Sequence, residues 1–176
     1  MKNKQLMIAL ALTATLLPGM AMAHVGTGSG GFLAGLMHPF SGLDHLLTAL
    51  AFGLWIAIKS RYSPRLGVGL FLLPLTMGML LGANGLQGVF LEALLTGSMV
   101  VAFLMLSPRM VVNQHPGMLL FSVFALLHGL AHGNELVALS AQGTVTAIAI
   151  AFSTGMICCS GYLLAKRMLP RAKLQD

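Results

Sequence analysis

Five apolar runs separated by short polar breaks occupy most of the chain, at about 36–58, 66–81, 86–106, 118–132 and 144–165. Within each run the hydrophobicity is continuous rather than alternating. Most approach the ~20 residues a helix needs to cross a bilayer. The pattern predicts an all-α fold: a polytopic transmembrane helix bundle of about five spans, or six if one run is split. Pro39 is expected in the first turn of the first span, where a missing N–H costs little, and Pro74 is expected to kink the second. The fourth run is short and has room to begin nearer Met110.

Residues 1–23 carry a different pattern. Lys2 and Lys4 precede a short apolar stretch, Leu6 to Leu17, and Ala21-Met22-Ala23 forms an A-x-A site. This reads as a signal peptide. Cleavage after Ala23 would leave His24 as the new N-terminus of a single transmembrane domain, 24–176. An uncleaved first helix is the other reading.

Composition supports a membrane protein. The chain is 57% hydrophobic and 8% charged, against about 25% charged in soluble domains. The net charge of +6 is explained by position. With the mature N-terminus outside and five spans, Lys59, Arg61, Arg65, Arg109, Lys166, Arg167, Arg171 and Lys173 all fall in inside segments, as the positive-inside rule requires. The mature N-terminus is therefore expected in the periplasm and the C-terminus in the cytoplasm, with the chain in a bacterial inner membrane. No aromatic-basic interleaving suggests nucleic acid as a partner. Cys158 and Cys159 are adjacent, too close for an ordinary disulfide. Trp55 and Tyr62 read as interfacial anchors. His115 reads as a loop residue without a role.

Polar groups inside the runs then become the candidates for chemistry, because they are expensive in lipid and usually mark a pathway. His38-Pro39-Phe40-Ser41-Gly42-Leu43-Asp44-His45 opens the first run, and His128-Gly129-Leu130-Ala131-His132-Gly133-Asn134-Glu135 closes the fourth. His38 and His45, seven apart, share a face but stand about 10 Å apart along a straight helix, too far to hold one ion. His128 and His132 at i, i+4 point the same way, a spacing that chelates a divalent ion. Glu135 continues that face if the helix does. Imidazole with carboxylate suits nickel, cobalt, copper(II) or zinc, and neither stretch holds a thiolate for a soft site.

The bland alternative is that a histidine inside a membrane serves as a packing hydrogen-bond donor, and this weighs most for His38. Glu92 in the third run fits a proton relay, a partner of a histidine, or a carboxylate satisfied by water. The pairs Gly78/Gly82 and Gly129/Gly133 suit close helix packing, whereas Gly31/Gly35 is taken as a product of high glycine content. No enzyme motif is present. An intramembrane hydrolase pairing Ser41 or Ser98 with His128 is a remote alternative.

Signal peptide, His24, the first motif with Asp44-His45 and the second with Glu135 together resemble the HupE/UreJ family over essentially the whole mature chain. The resemblance implies a small inner-membrane permease for a divalent metal, nickel first and cobalt second, with no prosthetic cofactor. It implies supply of that metal to urease or hydrogenase maturation, with cytoplasmic metallochaperones as partners beside the bilayer and the metal ion. By motif, His38, Asp44, His45, His128, His132 and Glu135 take the metal-handling positions, and Glu92 matches a carboxylate usual in the third span. Cys158 stands where the family often has a histidine; burial in lipid disfavours its thiolate.

The expected route runs from His24 as outer collector, through His38, His132 and Glu135, to a deep site of Asp44, His45 and His128. An inside-negative potential would draw the ion inward at about 2.3 kcal/mol per charge per 100 mV. A non-transporting metal-binding accessory or sensor is the runner-up. Oligomeric state is left open by the sequence.

Overall fold

The computed structural model describes residues 30–86, 90–136 and 142–168. The signal segment, its cleavage site and His24 lie outside the described residues. Six helices follow in order: α1 (Phe32–Ser41), α2 (Leu43–Lys59), α3 (Pro64–Ala83), α4 (Leu91–Met105), α5 (Gln114–Leu136) and α6 (Gly143–Met168). There is no strand among the described residues, and the molecule is an all-α membrane helix bundle.

The first apolar run is not one helix. It breaks at Gly42 into α1 and α2, which meet at 82°. Pro39 lies inside α1, near its end rather than in the first turn of a span. It withholds one backbone N–H, and Gly42 then leaves the helical region at φ −105°, ψ 116°. Ser41 Oγ donates to His38 O at 2.7 Å, satisfying a carbonyl at the end of α1. Helix α2 restarts at once, with Leu46 N donating to Gly42 O. Asp44 falls in its first turn, where the helix dipole favours a carboxylate.

Three other boundaries move. Ser63 Oγ caps α3 by accepting from Leu66 N at 3.3 Å, and Pro64 takes the first helical position. Helix α4 starts at Leu91, after Phe90 turns the chain at φ 64°, so it has only 15 residues. Helix α5 begins at Gln114 and runs past His132 to Leu136, keeping Glu135 on the same helix as both histidines. By length and composition α3, α5 and α6 can each cross a membrane, and the bent pair α1–α2 counts as a fourth crossing if taken as one span.

Helices α3 and α5 run parallel and touch through glycines. A Cβ on Gly78 would meet Leu126 O and Leu130 N; one on Gly129 would meet Leu75 O and Met79 N. Gly82 and Gly133 repeat the contact one turn further on. Such contacts between small residues let backbones approach in lipid. Gly35 does the same for α1: a Cβ there would strike Thr146 O of α6. The Gly31/Gly35 pair is therefore more than a product of composition. Gly31 N also donates to Thr146 Oγ1 at 2.8 Å.

Trp55, expected at the membrane boundary, is instead fully buried, packed with Phe52 and Phe121. The boundary role fails because Gly117 of α5 leaves an opening that the indole fills. At this end of the bundle the basic residues gather. Lys59 Nζ donates to Ser107 O at 3.4 Å, Arg61 N donates to Gln114 Oε1 at 3.1 Å, and Tyr62 Oη bonds His115 Nδ1 at 2.7 Å. His115 thus ties the loop after α2 to the start of α5.

Candidate metal centre

The bend at Gly42 rearranges the first motif. It brings the ring centroids of His38 and His45 to 6.1 Å, against the wide separation of a straight helix. Helix α5 supplies the rings around them. His132 sits 4.6 Å from His38 and 4.4 Å from His45, and His128 sits 4.8 Å from His45. The result is an unbroken row, His38–His132–His45–His128, built from α1, α2 and α5. His45, His128 and His132 are buried.

The row divides into two groups of three. His38, His132 and Glu135 form one; Asp44, His45 and His128 form the other. In each group the potential ligand atoms lie within 4.8 Å of one another. Each group contains one carboxylate beside two imidazoles. His38 Nε2 and Glu135 Oε2 are 3.8 Å apart, beyond hydrogen-bond range, a spacing that a shared cation would suit.

Hydrogen bonds orient the deeper group. Asp44 Oδ1 and His45 Nδ1 are 2.9 Å apart. His128 Nδ1 lies 2.8 Å from Phe124 O, one turn back on α5. A carbonyl only accepts, so Nδ1 carries the proton and the lone pair of His128 is on Nε2. That Nε2 is buried and has no hydrogen-bond partner among the described residues. Leaving such an atom unsatisfied costs about 1–3 kcal/mol. Fixing one ring nitrogen by a backbone carbonyl and leaving the other as acceptor is how metal-binding histidines are held.

Glu92 lies apart from both groups. It is exposed in the first turn of α4, at the same end of the bundle as Glu135. The two carboxylates line one cavity of about 480 Å³, together with Phe90, Leu95 and Asn134. Glu92 thus lies in the first turn of its helix, because α4 starts late.

Cys158 is also apart. It is fully buried on α6 against Gly53 of α2, which lies eight residues past His45, or about 12 Å along the helix. It joins neither group of ligands. Ser41 Oγ and Ser98 Oγ donate to the backbone carbonyls of His38 and Leu95. Sequence reasoning missed Gly42 as the residue that joins the two halves of the first motif. The spacing of Pro39 and Gly42 was the available signal for a break.

Comparison with known proteins gives two matches. The family described as HupE / UreJ protein matches residues 10–175. Protein HupE of Rhizobium leguminosarum bv. viciae is 32% identical over 133 residues, covering 76% of this chain and 70% of that protein. No solved structure matches.

Proposed function

This chain belongs to the HupE/UreJ family, and we propose that it carries a divalent transition-metal ion, nickel before cobalt, across the bacterial inner membrane. The observation that carries the reading is the row of four imidazoles with Asp44 and Glu135 at its flanks. The donors are nitrogen and oxygen, a set suited to borderline divalent ions.

The ion arrives from the periplasm at the cavity lined by Glu92 and Glu135, whose carboxylates concentrate cations. His24, when it is the mature N-terminus, collects the ion ahead of them. Glu135, His38 and His132 then exchange water for ligands in stages. His132 and His45 hand the ion to the deeper group, where His128 Nε2 and Asp44 complete its shell. Each group offers three ligands rather than a closed cage. That keeps binding strong enough to admit the ion and weak enough to release it. The membrane potential supplies the direction, and Glu92 is placed to exchange a proton at the mouth. The chain performs no bond-making chemistry in this scheme. Its cargo goes to urease or hydrogenase maturation in the cytoplasm.

Uptake of radioactive nickel by cells expressing the wild type, Asp44→Asn or His45→Ala tests this. Wild type should accumulate the ion above an empty-vector control, and both variants should fall to that control. Wild-type cells that bind nickel without accumulating it would favour the non-transporting accessory or sensor instead.

A further inference from the structure

A layer of aromatic rings separates the imidazole row from the basic end. Phe52 and Trp55 come from α2, Phe71 from α3, and Phe121 from α5. Phe52 stacks on Phe71 at 4.4 Å and meets Phe121 at 4.9 Å, while Trp55 meets Phe121 at 5.3 Å. All four are buried. Phe52 follows His45 by seven residues and Phe121 precedes His128 by seven, so both rings lie about 10 Å beyond the imidazoles on their helices. Thr48, one turn past His45, places a buried Oγ1 without a hydrogen-bond partner among the described residues between the two layers.

We propose that this ring layer is a hydrophobic gate, closed in this structure, and that an ion passes only when Phe52, Trp55 and Phe121 part. The inference rests on the transport reading above. Rings packed this tightly exclude water, and a dewetted constriction blocks ions without any charged barrier. Two features single out Trp55 as a moving part. Its indole N–H is buried and meets no acceptor among the described residues, so a conformer that lets it meet water recovers a hydrogen bond. Its ring also fills a place that exists only because residue 117 is glycine: a Cβ on Gly117 would overlap the six-membered ring. The indole is held by shape alone. Ordinary core packing accounts for the stacking of rings but leaves the N–H unexplained. The hydroxyl of Thr48 gives the ion a last oxygen before the gate.

Proteoliposomes holding wild type, Phe121→Ala, or the milder Phe52→Leu/Phe121→Leu pair test this. A valinomycin-set potential drives protons inward, and an entrapped pH dye reads the leak. Gel filtration and emission from Trp55, the sole tryptophan, check that each variant is folded; if Phe121→Ala does not fold, the leucine pair decides. The gate predicts a wild type tight to protons and a leak raised about tenfold or more in the alanine variant, less in the leucine pair. Folded variants as tight as wild type would overturn it. Nickel uptake is measured on the same vesicles. Leaky variants beside a wild type that takes up no nickel leave the gate standing and remove the transport reading. Nickel uptake by wild type beside tight variants does the reverse.

Discussion

At residue scale the decisive detail is the hydrogen bond from His128 Nδ1 to Phe124 O. It sets the tautomer and leaves Nε2 without a partner among the described residues, on a ring grouped with Asp44 and His45. Replacing His128 by Gln keeps a polar side chain of similar reach but offers an amide in place of imidazole. His128→Gln should therefore lower nickel affinity at least about tenfold, measured by equilibrium dialysis of the detergent-solubilised protein, with thermal stability close to wild type. Unchanged affinity would remove His128 from the site. The types and spacing of these residues were plain in the sequence: His128 and His132 on one face, and Asp44 beside His45. The meeting of His38 with His45 was not. Seven residues along a straight helix separate two rings, and only the bend at Gly42 cancels that distance. The late start of α4 at Leu91 was not legible either, although Glu92 stays within that helix, in its first turn.

At the scale of elements, α5 must be held in register for its histidines to face α1 and α2. That register comes from α3. Gly129 and Gly133 of α5 meet the backbone of α3, while Gly78 and Gly82 answer from the other side. The contact is backbone on backbone, so neither helix can yield by a rotamer change. Gly129→Ala should push the pair apart at a cost of about 1–3 kcal/mol. Thermal unfolding in detergent should show a lower midpoint, and nickel affinity should fall with it because Gly129 adjoins His128. A midpoint equal to wild type would show that the helices are not locked by these glycines. This packing was legible as small residues four apart, but its partner was not. Gly31/Gly35 looked accidental in a chain of 21 glycines; what Gly35 meets on α6 is the carbonyl of Thr146. Trp55 was misread in the same way. Its neighbour Gly117 lies 62 positions away, and hydropathy records no such pocket.

At the scale of the molecule, polar and basic features are sorted to opposite ends. The end with Glu92 and Glu135 is acidic and opens as a cavity. The other carries Lys59, Arg61, Arg65, Arg109, Lys166 and Arg167. The all-α class followed from hydropathy alone, since lipid leaves a helix few alternatives. The uneven lengths of the helices did not follow: α1 has 10 residues and α4 has 15. The charge distribution predicts a cytoplasmic C-terminus. A C-terminal alkaline phosphatase fusion should be inactive and a green fluorescent protein fusion bright; the opposite pair of results would invert the proposed direction. The central claim concerns flux through the imidazole row, and purified protein in vesicles tests it most directly. With an inside-negative potential and nickel outside, wild-type vesicles should accumulate the ion, and His45→Ala vesicles should not exceed protein-free ones. Equal accumulation by wild type and His45→Ala, both folded, would contradict the account.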